Sequence, residues 1–250
     1  MCSLLIWVVH VGLRRRATVY FLVNCFEGNS VKRIISVCVL LCSRVAEGMI
    51  ERVLHVSDVH CMASMLAKVL ELESNNVDAV IVSGDIECNG KTIEILKGVG
   101  KPVFAVSGNL DDHYIARLLR EAGLSVEGDV LDYGDIVVAG IGGREPLANI
   151  KRVEMLLEQL RPSKPLLVVA HHPPHGHVDL TWSGVHAGLY ETLRLIERYR
   201  PVAYLCGHIH EARGVSRHRE TLIVNPGPLA NGYYAIVDLA EQQVTLKTLT

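Results

Sequence analysis

From about residue 50 onward, short apolar runs alternate with stretches in which apolar residues recur every three or four positions. The apolar runs predict strands over 53–57, 79–83, 103–107, 136–141, 166–170 and 202–206. The helical spacing predicts helices over 63–73, 92–97, 112–122, 150–159 and 188–199. Gly123 stands where the third of these needs a left-handed cap, Pro162 lies just past the fourth, and Pro201 stops the fifth. The runs 79–83, 103–107 and 166–170 are apolar throughout, as strands covered on both faces are. Toward the C-terminus, 214–216, 221–224, 233–238 and 243–249 alternate more, in the manner of antiparallel strands. These elements predict an α/β fold: a layered α/β/β/α sandwich of two packed mixed sheets flanked by helices.

Polar residues change the picture at the strand ends. Asp58-Val59-His60, Gly84-Asp85, Gly108-Asn109-Leu110-Asp111, His171-His172-Pro173-Pro174 and Gly207-His208-Ile209-His210 each follow an apolar run. Open α/β sheets place binding groups there. Asp, Asn and His are ligands of borderline and hard divalent metals. Five such clusters in succession predict one shared metal site, with glycines turning the backbone sharply beside the ligands.

Composition narrows the field. The 250 residues carry a formal charge of −2, with 49% hydrophobic and 5% aromatic residues. The chain is therefore globular, with neither the basic excess nor the stacking aromatics of a general nucleic-acid binder. The seven cysteines form no disulfide or zinc framework by spacing. Cys61, Cys88 and Cys206 are expected to be buried thiols, and the chain is expected to be cytoplasmic.

Residues 1–48 read differently, as apolar runs broken by Arg14-Arg15-Arg16 and Lys32-Arg33. No run reaches the length of a spanning helix. An interfacial membrane anchor, extra strands and a start-site artefact with Met49 as the natural first residue compete. The last is favoured, because Met49-Ile50-Glu51-Arg52 leads directly into the first predicted strand. A domain over 49–250 is expected, with membrane contact only if 1–48 are translated and retained.

Between about residues 52 and 240 the clusters resemble the motif order of the metallophosphoesterase (calcineurin-like) superfamily, most closely its compact single-domain microbial phosphodiesterases. Gly142-Gly143 and Asn225-Pro226-Gly227 also resemble turns of that branch. The resemblance implies two divalent ions, of Mn, Fe, Zn or Ni. Asp58, His60 and His210 would hold the first, and Asn109, His171 and His208 the second, with Asp85 as the bridge. Two such cations outweigh two carboxylates and a hydroxide, so the site would attract a phosphate ester. The implied chemistry is attack of a metal-bridging hydroxide on phosphorus, without a covalent phosphoenzyme, with Asp85, Asn109 and His171 at its centre.

One departure is Leu110, where the family often has a His that protonates the leaving group; His113 is the candidate substitute. Arg144, His175 and Arg213 are candidates for substrate binding. His172 is either a support for a ligand or simply packed. Glu211 reads as a helper of a ligand His, and Asp111 and Asp112 as helix caps. The expected function is a phosphodiesterase on small-molecule or nucleotide diesters. The alternatives are a phosphomonoesterase, or a catalytically weak scaffold on the same fold. Nucleic acid is not expected as a partner; a homo-oligomer is compatible with the sequence.

Overall fold

The computed structural model describes the backbone of residues 23–27 and 30–34 and, apart from Asn89, residues 49–249. Two units are distinguished, Met1–Glu47 and Gly48–Thr250. The first contains an antiparallel pair, β1 (Val23–Glu27) and β2 (Ser30–Ile34), with Cys25 opposite Lys32. The remaining expectations for residues 1–48 fall outside the described residues.

The second unit holds two sheets. One has the order β13-β12-β3-β4-β5, built from β3 (Arg52–Val56), β4 (Ala79–Val82), β5 (Val103–Ala105), β12 (Tyr233–Asp238) and β13 (Gln243–Thr248). The other has the order β10-β11-β9-β8-β7-β6. It uses β6 (Val130–Tyr133), β7 (Ile136–Ile141), β8 (Leu166–Ala170), β9 (Ala203–Leu205), β10 (Gly214–His218) and β11 (Thr221–Asn225). β3, β4 and β5 run parallel, as do β7, β8 and β9. Both sheets also carry antiparallel pairs, so both are mixed.

Period-two alternation divides the apolar residues among three cores. Val53, Ala79 and Ile81 face Leu167, Val169, Leu205 and Val224 between the sheets. Leu54, Val56, Val80 and Val82 turn outward against α1 (Ala63–Glu73), α2 (Lys91–Lys97) and α3 (His113–Glu121). On the far side, Val137, Ala139, Val168 and Ile223 pack against α4 (Pro146–Leu160) and α5 (Tyr190–Tyr199). The four predicted layers are all present.

Three local readings are corrected. β6 is absent from the predicted strands: it is a half-exposed edge strand closed onto β7 through Gly134, whose φ is +57°. α4 begins at Pro146 rather than residue 150, because proline's missing N–H costs nothing in the first turn. Cys61 and Cys88 are not buried thiols. They are exposed and joined in a disulfide across a separation of 27 residues, a closure worth about 3–4 kcal/mol in a chain-entropy account. Cys206 is the free, buried thiol. The disulfide removes the support that three buried thiols would lend to a cytoplasmic location. Among the described residues, no helix is long and apolar enough to cross a membrane.

One buried group makes the fold acid-sensitive. His55 lies on β3 on the side facing the second sheet, with Nε2 2.8 Å from Ser83 Oγ and no partner for Nδ1. Burial pushes its pKa down from 6.5 to about 3, against the opposing pull of Asp58. Below pH 6.5 the unfolded chain binds a proton at this position that the folded chain refuses, so stability falls as pH drops from 6.5 toward 3. Between pH 7 and 5 the wild type is expected to lose about 2 kcal/mol more than His55→Gln. Guanidinium unfolding curves of both proteins at the two pH values check this.

Candidate metal centre

The loops after β3, β4, β5, β8 and β9 carry the predicted ligands, so the parallel topology brings them to one edge of the sandwich. Two groups of side chains converge there. Asp58, His60 and His210 place one ligand atom each within 4.8 Å of one another, and so do Asp58, Asp85 and His171. Asp58 belongs to both. Asn109 joins the second group, its Oδ1 2.7 Å from His171 Nε2. His208 is in neither triad, but its ring lies 4.9 Å from that of His171 and its backbone N–H donates to Asp58.

Backbone groups orient these side chains. Ser83 O lies 2.8 Å from His171 Nδ1, which directs Nε2 toward Asp85 and Asn109. Asp85 Oδ1 accepts from Leu110 N at 2.9 Å. His60 Nδ1 lies 3.3 Å from Glu87 Oε1, leaving its Nε2 3.1 Å from His210 Nε2. Asn225 Nδ2 donates to Ile209 O at 2.8 Å, fixing the segment between His208 and His210. Close approach requires glycine at two positions. A Cβ on Gly108 would stand 1.9 Å from Asp85 Oδ1, and one on Gly207 1.8 Å from Ser57 Oγ. Asp58, His60, Asp85 and His208 all adopt left-handed φ, at 51°, 43°, 47° and 70°. Strain of order 1 kcal/mol or more per residue is typical of such sites.

The electrostatics fit a cation. Burial raises the Asp85 carboxyl, and the neighbouring Asp58 and Asp111 carboxylates add to the rise. Burial also pushes Asp58 up, but the hydrogen bond from His210 and the nearby His171 bring it below the usual range. The same bond to Asp58 raises His210. Burial, then His171, lowers His208 to about 4, which keeps a neutral imidazole available as a donor. Buried carboxylates crowded against imidazole rings are a donor set for Zn, Mn or Fe ions.

The other predicted residues have varied fates. Asp111 is fully buried and caps nothing; it accepts from Glu87 N and Gly108 N, tying two ligand loops together. Asp112 is the cap of α3, accepting from Ile115 N. Arg144 donates to Asp111 O at 2.7 Å and lies 3.2 Å from His113 Nε2, so these two candidates form a pair at the rim. His172 packs against His208, its Nδ1 without a partner; burial lowers its pKa to about 3. Arg213 does not join the site. Its guanidinium donates to Pro226 O and Lys247 O and covers the Tyr233 ring. His175 stacks on Tyr190, the first residue of α5, with ring centroids 3.8 Å apart. Glu211 accepts from Trp182 N, and its charge acts on His208 and His210 without a hydrogen bond to either ring.

Sequence reasoning missed Glu87 and the part played by Asn225. Glu87 carries no signal of its own, since its partner belongs to another loop. Asn225 is visible in the sequence only as a turn. A basic groove lined by Arg161, Lys164, Arg198 and Arg200 borders Leu166, the opposite end of β8 from His171. α4 and α5 both end there, so these cations complement helix C-termini.

Residues 52–242 match the family model described as the calcineurin-like phosphoesterase superfamily domain. An uncharacterized protein of Methanocaldococcus jannaschii, MJ1162, is 28% identical over 188 residues, covering 68% of this chain and 84% of that protein. A Caenorhabditis elegans UPF0046 protein, T07D4.2, is 26% identical over 163 residues, covering 58% of this chain and 41% of that protein. Among solved structures, TT1561 of Thermus thermophilus superposes with a TM-score of 0.67 at 19% identity, covering 80% of this chain and 99% of that one. A dimetal phosphatase from Danio rerio gives 0.55 at 12% identity, covering 80% and 96%.

Proposed function

The chain belongs to the calcineurin-like phosphoesterase superfamily, and on that premise we propose that it hydrolyses phosphodiesters of small molecules or nucleotides with two divalent ions. The observation that carries this reading is the convergence of two ligand groups that meet at Asp58. Asp58, His60 and His210 would hold one ion, and Asn109, His171 and His208 the other, with Asp85 between them and Asp58, which also clusters with Asp85 and His171, close to both. The ions would supply Lewis acidity and an activated water. The dimetal phosphatase of Danio rerio is a precedent on the same fold.

The protein's own groups position the ester. Arg144, held by Asp111 O, offers a guanidinium to a phosphoryl oxygen. Its contact with His113 Nε2 makes His113 a support for Arg144 before it is a proton donor. Leu110 offers no proton at the position where the family often has His. Leaving groups that depart as stable anions are therefore the preferred substrates. With Mn²⁺ added, bis(4-nitrophenyl) phosphate is expected to turn over faster than 4-nitrophenyl phosphate. A faster monoester favours a phosphomonoesterase. No hydrolysis across a broad ester panel by metal-replete protein favours the scaffold reading, to which the 57% exposed Leu110 lends its support.

A further inference from the structure

The loops after β3 and β4 repeat one pattern, Asp58-Val59-His60-Cys61 and Asp85-Ile86-Glu87-Cys88. The second residue of each, Val59 or Ile86, is fully buried. The first, third and fourth are left-handed in both loops, with φ of 51°, 43° and 68° in one and 47°, 51° and 51° in the other. The loops lie side by side. Asp58 N donates to Gly84 O at 3.0 Å, His60 N to Asp85 O at 2.9 Å and Cys61 N to Ile86 O at 3.2 Å. The third residues meet as His60 Nδ1 and Glu87 Oε1, 3.3 Å apart. The fourth residues meet in the disulfide, with Cα atoms 5.3 Å apart.

We propose that Glu87 and the Cys61–Cys88 disulfide form a clamp that positions His60, and that this clamp sets the affinity of the ion held by Asp58, His60 and His210 but not of the ion held by Asn109, His171 and His208. The inference rests on the two-ion reading. Left-handed conformations at residues other than glycine persist only where the surroundings impose them. The cross-link imposes them at the solvent-exposed end of both loops, where packing cannot. Glu87 does the same for the ring. By engaging Nδ1 it leaves Nε2 as the donor, and Asp111 in turn holds Glu87 N at 2.6 Å. Of the second group, His171 hangs from Ser83 O and meets Asn109 Oδ1, both outside the clamp; Asp85 opens the second loop, but its carboxylate is held from Leu110 N. Cys61, Cys88 and Glu87 are thus positioning residues. When a dithiol opens the bridge, two electrons and two protons pass to the cysteines and the reductant leaves as a disulfide.

The test is calorimetric titration of metal-free full-length protein with Mn²⁺, with electron paramagnetic resonance of the loaded product. Wild type, Cys61→Ser/Cys88→Ser and Glu87→Gln are compared. Wild type is expected to take up two ions and show a coupled Mn pair. In both variants one binding event should weaken by about 10–100-fold, the other should hold, and isolated Mn²⁺ should replace the pair. Peptide mapping after alkylation should find Cys61 and Cys88 unlabelled in unreduced wild type. Labelled cysteines, unchanged affinities, or equal weakening of both events overturn the clamp. If the double variant does not fold, Glu87→Gln with its bridge intact decides. If wild type binds one ion only, the two-ion reading fails, and the clamp stands or falls on whether that ion's affinity follows the bridge.

Discussion

Asp58→Asn is expected to lower diester turnover by at least about 10²-fold while leaving the far-ultraviolet spectrum unchanged. Asp58 is the one side chain common to both ligand groups. An amide keeps its shape and removes the negative charge that draws cations to both. A Lewis-acidic metal contributes several kcal/mol to such a reaction, and each 1.36 kcal/mol is a factor of about ten in rate. The change also breaks the charge interaction with His210, whose pKa is raised chiefly by its bond to Asp58. Loss of turnover should therefore come with weaker uptake of metal, measured by titration in the same preparation. Normal turnover in Asp58→Asn would remove Asp58 from the site altogether.

Gly108→Ala should damage the centre as severely, although no ligand is altered. The new Cβ would lie 1.9 Å from Asp85 Oδ1 and 2.3 Å from Asp85 N, a clash with backbone that rotation of a side chain cannot relieve. Either the Asn109 loop or the Asp85 loop must move, and Asp85 belongs to the second ligand group. Turnover is expected to fall about 10²-fold, with about 1–3 kcal/mol lost in stability, typical of an overpacked interior. Gly98→Ala is the control. Its Cβ would be 3.5 Å from Ile95 O, an ordinary contact at the end of α2, and stability should change by no more than about 0.5 kcal/mol. Enzyme assay and denaturant midpoints of the two variants side by side measure the difference.

The architecture was legible where burial enforces a period. β7, β8 and β12 have the expected bounds because nearly every residue must reach a core on one face or the other. β6 was not legible, since Asp132 and Tyr133 lie on a half-exposed edge where packing writes no pattern. The ligand clusters could be read because a polar run directly after a buried strand is costly to keep unless it binds something. The supports could not. Asp111 and Asp112 are indistinguishable as sequence, yet one ties two loops together and the other caps a helix. Cys61 finds Cys88, and His60 finds Glu87, only because two parallel strands deliver their following loops side by side. Arg213 looked like a phosphate clamp by its nearness to His210, but the carbonyls of Pro226 and Lys247 claim it.

β3 is an interior strand, flanked by β4 on one side and by β12 on the other, so that Val53 lies opposite Val237. On the ribosome, the flank of β3 that awaits β12 stays open until residues 233–238 have emerged, and the last imidazoles of the centre arrive with residues 208 and 210. An unpaired strand edge of this kind is a point of aggregation during synthesis. A nascent chain halted before residue 208 therefore lacks two of the imidazoles that would hold an ion in this centre.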